Sequence, residues 1–340
     1  MKFMNATMSL EKIKHYPVML DQILSIISPQ HGGDFIDCTF GGGGYTKAIL
    51  KYLNTRVIAL DRDNLTQSYA KSLLQKFPKR FKFFEKKFSE IDQVVKSNLN
   101  PRAIIFDLGL SSFQLADEKR GFSFKSKNSL SMQMGINKYS AYDVVNSLDK
   151  QNLSKIIKIL GEEKDSKKIA SRIIRYRSKK KIKTSEELSS IINEVKKNYN
   201  NHKKNTSTKT FQAIRIFVNQ ELTELILGLI AATQILKNEG MLIVVSFHSL
   251  EDKIVKSFFN LNSDLNKNPS RYLPLQKNHR GLFKFISKKT MTPTKEEVRK
   301  NIRSRSAKLR YAVRNNNSFT YPTEFKEKFV NYFNLEKIKL

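Results

Sequence analysis

One cysteine, Cys38, stands in the whole chain. Its isolation excludes a disulfide framework and a zinc cluster built on thiolates, and it suits a reducing compartment. Long hydrophobic runs are missing too. The longest, such as LILGLIAA (225–232), fall far short of the roughly 20 residues a membrane span needs. The first twenty residues, MKFMNATMSLEKIKHYPVML, contain no apolar stretch leading to a small-residue cleavage site. The sequence therefore predicts a cytoplasmic protein with no membrane partner. Acidic residues are scarce: 31 Asp and Glu face 62 Lys and Arg, a formal net charge of +31. Such a field favours polyanions and points to nucleic acid. A general bias towards lysine accounts for part of it.

What is present suffices for a globular protein. Hydrophobic residues make up 39% of the 340, with 23 Phe and 12 Tyr, enough to bury a core and too much chain for one average domain. Over the first hundred residues, short apolar runs alternate with helical periodicities, the pattern of consecutive βαβ units around a parallel sheet. FIDCTF (35–40), RVIALD (56–61), FKFFEKK (81–87) and AIIFDLGL (103–110) read as strands, with helices in TKAILKYL and SYAKSLLQKF. From about Lys125 to Gln220 only helical patterns occur, one of them opened by a capping box of Thr184 and Glu187. The helix NQELTELILGLIAATQILK, the strand MLIVVSF (241–247) and two closing strands, LFKFISKK (282–289) and AKLRYAVR (307–314), then resume the sheet. The expectation is an α/β core in two parts, 1–124 and 221–340, interrupted by a helical insertion, 125–220.

The first crossover carries the chemistry. Asp37, Gly41 and Gly43 form D-x-x-x-G-x-G between a strand and a helix, where glycine lets a ligand approach the turning backbone. The second strand ends in Asp61, placed to accept hydrogen bonds from ribose hydroxyls. A dinucleotide site wants a third glycine where Thr46 stands. An acidic residue in the first strand, Asp37, suits the cationic amino-acid end of S-adenosylmethionine instead. The fourth strand ends in Asp107-Leu108-Gly109-Leu110-Ser111-Ser112, at the sheet edge where open α/β sheets bind ligands. Asp107 there could orient an acceptor amine, with a helix cap by Ser111 or Asp107 as the lesser alternative. Methylation of a pyrimidine ring carbon needs a cysteine nucleophile and base deamination needs a zinc motif. Neither is available, which leaves methyl transfer to nitrogen or oxygen.

Three further groups stand out. His248 in SFHSLED (246–252) points to the same crevice, unless Ser249 and Asp252 form a capping box and His248 is packing. Arg215 and Asn219, one helical turn apart, are candidate contacts to RNA, whereas Phe211 and Phe217 beside them suit a helix core. Arg303, Arg305, Lys308 and Arg310 either grip phosphates or form a solvated strand edge.

The ordered motifs HYPVML (15–20), DCTFGGGGYT (37–46), ALDRD (59–63), DLGLSSFQL (107–115), RGFSF (120–124), TFQAIRIFVNQEL (210–222), SFHSLED (246–252) and RSRSAKLR (303–310) resemble the RsmH (MraW) family of small-subunit ribosomal RNA cytidine N4-methyltransferases. The resemblance implies a class I, Rossmann-like methyltransferase sheet with an inserted all-helical domain. It also implies S-adenosyl-L-methionine as cofactor, no metal, and a decoding-centre cytidine of 16S rRNA in the small ribosomal subunit as acceptor. By resemblance the cofactor residues are Gly43, Gly44, Tyr45, Asp61, Phe88, Asp107 and Gln114. The expected catalytic set is Asp107, Ser111 and His248, and the RNA set Arg215, Asn219, Arg303 and Arg305. A homodimer stays open. Two departures stand out: Tyr45 where the family has His, and Leu130-Ser131-Met132-Gln133-Met134 where the family has L-D-M-R-M. If that Asp and Arg pair, losing both together is the less costly change.

Overall fold

The computed structural model describes residues 17–95, 99–135, 137–196, 206–264, 281–287 and 289–340. His15 and Tyr16 of the HYPVML motif, and Lys288 in the expected strand 282–289, lie outside the described residues. The strands are β1 (Gly33–Asp37), β2 (Thr55–Asp61), β3 (Phe81–Glu85), β4 (Pro101–Asp107), β5 (Met241–Ser246), β6 (Phe283–Ile286) and β7 (Lys308–Arg314). They form one sheet in the order β3-β2-β1-β4-β5-β7-β6. The first five are mutually parallel, and β7 runs antiparallel between β5 and β6.

The runs Ala103–Phe106 and Leu242–Val245 are buried throughout, as expected of strands covered on both faces. Strand alternation then decides where the functional groups lie. Phe35, Val57, Ala59, Ala103 and Ile105 all enter one core cluster with Ile23 and Ile27 of the helix Leu20–Ile27, Ile49 of the helix Gly44–Leu50 and Leu73 of the helix Gln67–Lys76. Asp37, Asp61 and Asp107 are two residues beyond Phe35, Ala59 and Ile105, so all three carboxylates project from that same face at the strands' carboxyl ends. Strand order reverses between β1 and β4, the switch point where such sheets open a crevice.

The described chain divides into two compact units. One holds the sheet, with residues up to Gly109 and Glu224–Phe329; the other holds Leu110–Thr223 and Val330–Leu340. The expected insertion, 125–220, falls inside the second unit, which begins earlier and takes in the chain's last residues. The early start has a physical cause. Residues Leu110–Gly135 carry neither strand nor long-helix periodicity; backbone hydrogen bonds such as Met132 N to Arg120 O and Tyr142 N to Leu130 O tie them down instead. The hydroxyl of Thr223 likewise meets Glu336 of the helix Val330–Glu336.

Five helices, Ala141–Ser147, Lys150–Gly161, Ser166–Arg177, Ser185–Val195 and Thr208–Asn219, make up most of this unit. The capping box read at Thr184 forms: its hydroxyl accepts the Glu187 N–H at 3.1 Å and the Glu187 carboxylate accepts the Thr184 N–H at 3.3 Å. Among the described residues no single helix is long and apolar enough to cross a membrane.

Candidate functional site

After β1 the chain turns through Cys38–Gly43 into the helix Gly44–Leu50. Gly43 caps that helix in the left-handed region, φ 75°, and a Cβ there would come within 2.9 Å of the Phe40 ring. Gly43→Ala is therefore expected to lower stability by about 1–3 kcal/mol through strain and contact together, read as a fall in thermal midpoint. Gly41, φ 52°, is different: an added Cβ would meet only the Thr39 carbonyl, at 3.8 Å. That side of the turn faces open space, as a backbone approached by a ligand must.

Asp37 departs from the expectation of a group facing the cofactor's cationic end. It is fully buried, accepting from the Thr46 hydroxyl at 2.7 Å and the Thr39 N–H at 3.3 Å. Burial lifts its carboxyl to about 6 against those hydrogen bonds. Thr46, in place of a third glycine, thus joins strand to helix by a buried hydrogen bond.

The carboxylates that reach the open side are Asp61 and Asp107, both half-buried. Asp61 accepts the Gly41 N–H at 2.7 Å on one oxygen and the Asp63 N–H at 2.9 Å on the other, leaving each oxygen a further lone pair. Burial pushes it up to about 7, helped by the charges of Asp63 and Asp37 and opposed by the two N–H groups. Asp107 is also raised to about 7, first by burial and then by the charges of Asp37, Glu251 and Glu297. Its backbone N–H donates to the Thr39 hydroxyl at 2.7 Å. One carboxyl oxygen lies 3.3 Å from the Tyr45 hydroxyl, while the other, Oδ1, is buried with no hydrogen-bond partner among the described residues.

In a chain of net charge +31, no Lys or Arg pairs with Asp37, Asp61 or Asp107 among the described residues. Such a site has room for a ligand bearing hydroxyls and positive charge. The orphaned Oδ1 of Asp107 and the open face at Gly41 both fit a cationic nucleoside such as S-adenosylmethionine.

These carboxyls set a pH dependence. A group titrating at about 7 is roughly nine-tenths protonated at pH 6 and nine-tenths ionised at pH 8, so affinity for a cationic ligand should rise about tenfold per carboxyl between them. Stability of the ligand-free protein runs the other way. The folded state holds these protons to a higher pH than an ordinary Asp at 3.8, so their contribution is present below about pH 4 and lost as pH rises through 6–7. Thermal shift produced by S-adenosylmethionine should accordingly be larger at pH 8 than at pH 6; an equal shift would remove these carboxyls from the binding step.

Phe88 packs edge-on against Phe106, centroids 5.2 Å apart, and over Gly228, where a Cβ would come within 2.4 Å of its ring. Glu224 accepts the Ser89 N–H at 2.9 Å and hydroxyl at 3.0 Å, holding that turn in place. Phe88 is half-buried, a position compatible with lying against a purine. Gly44 is the residue over which Pro17 packs; a Cβ there would come within 2.7 Å of the proline ring. The Tyr45 side chain does not face outward. It is buried, and its hydroxyl donates to the Val18 carbonyl, so tyrosine in the family's histidine position braces the HYPVML segment.

Several expected site residues are occupied by structural work. Ser111 caps the helix Ser112–Ala116: its hydroxyl accepts the Gln114 N–H at 3.3 Å, and Gln114 Oε1 accepts the Ser111 N–H at 2.9 Å. Both the expected catalytic hydroxyl and the expected cofactor amide are thus committed to a capping box in the helical unit. His248 caps the helix Ser249–Leu261, its Nδ1 accepting the Glu251 N–H at 3.4 Å, with Nε2 3.1 Å from the Glu251 carboxylate. The capping box is one residue earlier than the Ser249–Asp252 alternative. Asp252 instead receives Lys308 Nζ at 2.9 Å and Arg310 Nε at 2.7 Å, which joins SFHSLED to RSRSAKLR. Half of the expected phosphate cluster is therefore satisfied internally, while Arg303 and Arg305 are exposed and make no ion pair among the described residues.

The two expected RNA contacts in the helical unit are corrected. Arg215 makes a two-pronged ion pair with Glu221, both contacts at 2.8 Å. Asn219 is fully buried. Its amide donates to the Met132 carbonyl at 2.7 Å and the Arg215 carbonyl at 2.8 Å, and its oxygen accepts the Met134 N–H at 2.7 Å and Asn137 Nδ2 at 2.8 Å. Nothing of it remains for a base. It clamps the departing LSMQM segment, within which Ser131 and Gln133 hydrogen-bond at 3.0 Å, a neutral pair where the family carries Asp and Arg.

Sequence reasoning missed Thr39, Glu224 and Glu297. Thr39 was legible inside DCTF. Glu297, which accepts the Met19 N–H at 2.6 Å, had no sequence signal at all.

A parallel sheet with one antiparallel strand inserted beside β5, a glycine turn after β1 and aspartates ending β2 and β4 that form no ion pair among the described residues define a class I, S-adenosylmethionine-dependent methyltransferase. Comparison with known proteins narrows this further. The chain belongs to the MraW methylase family, whose model matches residues 12–315. It is 46% identical over 300 residues to the ribosomal RNA small subunit methyltransferase H of Ehrlichia canis (strain Jake), covering 87% of this chain and 98% of that protein. The proteins of the same name from Orientia tsutsugamushi (strain Boryong) and Parvibaculum lavamentivorans are 42% identical over 310 residues and 39% identical over 302, covering 89% and 88% of this chain and 98% and 89% of their own lengths.

Proposed function

We propose that this chain methylates the exocyclic N4 of a cytidine in the decoding centre of 16S ribosomal RNA, acting in the cytoplasm on the small ribosomal subunit. The observation that carries the reading is Asp107 at the switch point, with a buried carboxyl oxygen that has no hydrogen-bond partner among the described residues. The relatives' names and the basic charge support RNA as the partner.

When bound, S-adenosylmethionine supplies an electrophilic methyl group on a sulfonium. Asp61 would hold the ribose hydroxyls through the lone pairs left by Gly41 and Asp63, and Phe88 would offer the adenine an apolar face. The N4 lone pair of cytosine is conjugated with the ring and weakly nucleophilic. Asp107 would orient the amine by accepting one N–H, and its charge would favour the positive charge that develops on that nitrogen. In its ionised form Asp107 can receive the proton that nitrogen then loses.

Transfer of labelled methyl from S-adenosylmethionine to small subunits lacking the modification, followed by nucleoside analysis, tests this. Labelled N4-methylcytidine is expected. Label in another nucleoside overturns the acceptor. No transfer by protein that binds cofactor, on competent subunits, overturns the enzymatic reading in favour of RNA binding alone.

A further inference from the structure

The helical unit carries a concentration of charge that neither the glycine-turn site nor the capping chemistry uses. Residues 175–183 contain six cations, Arg175, Arg177, Lys179, Lys180, Lys181 and Lys183, and no acid. They span the turn between the helices Ser166–Arg177 and Ser185–Val195. Ile182 at its centre is fully buried, while Lys179, Lys180, Lys181 and Lys183 around it are exposed.

The turn is rigidly held. Asn146, itself buried, donates to the Ile182 carbonyl at 2.8 Å and accepts the Ile182 N–H at 3.0 Å, while the same amide donates to the Tyr142 carbonyl at 2.9 Å. Arg177 anchors the near side through the Val145 and Leu148 carbonyls, at 2.7 and 2.6 Å.

Helix electrostatics explain only part of this charge. Cations at the carboxyl end of Ser166–Arg177 offset the partial negative charge there, which accounts for Arg175 and Arg177. Lys183 stands immediately before the N-cap Thr184, where a helix disfavours positive charge. The acids of the next turn are already engaged, Glu187 with Lys180 at 2.9 Å and Glu186 with Lys127 at 3.9 Å. Lys179 and Lys183 make no side-chain hydrogen bond or ion pair among the described residues, and the Lys181 ammonium has only the Asn146 carbonyl, at 3.5 Å. Three exposed like charges on a fixed loop repel one another, and a line of phosphates relieves that repulsion.

We infer that this turn is a phosphate-binding site for the backbone of the substrate RNA, with Lys179, Lys181 and Lys183 as the contacts; the identity of the partner rests on the function proposed above. The test compares two triple variants of the full chain: Lys179→Gln/Lys181→Gln/Lys183→Gln, and a control at exposed lysines of the same unit, Lys155→Gln/Lys158→Gln/Lys164→Gln. Affinity for an unmodified 16S RNA transcript is measured as a function of salt.

The turn variant should keep its circular dichroism and cofactor affinity, bind RNA at least about tenfold more weakly, and lose about 2–3 from the slope of log K against log salt. The control should lose less than about one, and Lys→Arg at the three turn positions should restore wild-type affinity. Equal slopes for turn and control variants would overturn the site while leaving the proposed function intact. Wild-type protein that binds the transcript without salt dependence would overturn both.

Discussion

Asp61→Ala should raise the dissociation constant for S-adenosylmethionine by about 5- to 150-fold, the equivalent of about 1–3 kcal/mol for a buried hydrogen-bonding partner lost. Two effects combine in that figure. The ribose loses its acceptor, and the glycine turn loses the carboxylate that fixes the Gly41 N–H at 2.7 Å. Asp61→Asn separates them, since it keeps the volume and one acceptor oxygen but replaces the other by a donor. Thermal unfolding of both variants at pH 8 separates a loss of binding from a loss of folding, since Asp61→Ala also removes the acceptor of the Gly41 and Asp63 N–H groups. Calorimetric titration at pH 8 makes the measurement; affinity within twofold of wild type would remove Asp61 from the cofactor site.

Asn219→Leu should destabilise the protein by about 3–5 kcal/mol. Apolar surface is added, yet the carbonyls of Met132 and Arg215, the N–H of Met134 and the amide of Asn137 all lose their contact with Asn219. Each unsatisfied group costs about 1–3 kcal/mol, partly recovered as the segment rearranges. Met132, at φ 56°, is the residue whose conformation depends most on the clamp. Urea unfolding of wild type and variant measures the difference. A change under about 1 kcal/mol would mean that the Leu130–Met134 segment is held by other contacts.

The contacts of Asn219 also mark how far local sequence reaches. Arg215 and Asn219 were correctly placed one turn apart on a helix, because helical periodicity is local. Whether such polar side chains face solvent or the interior is not local, and here a partner six residues on, Glu221, takes Arg215 while a loop more than eighty residues upstream takes Asn219. His248 and Ser111 show the same limit on a smaller scale. The segments S-F-H-S-L-E-D and S-S-F-Q each allow a cap or a reactive group, and local sequence does not choose between them.

The sequence by itself determined the parallel strands, the glycine turn between β1 and its helix, the aspartates at the ends of β2 and β4, and the position of the helical stretch, because strand alternation, helix periodicity and glycine's backbone freedom act over a few residues. Family membership was legible for the same reason, as ordered short motifs. Only the tertiary structure decided that Asp37 turns inward to Thr46, that Asp107 keeps an oxygen unsatisfied among the described residues, that Asp252 neutralises Lys308 and Arg310, and that Glu297 holds Met19 from 278 positions away. Those outcomes depend on which polar groups the packed chain excludes from water, and that is a property of neighbours in space.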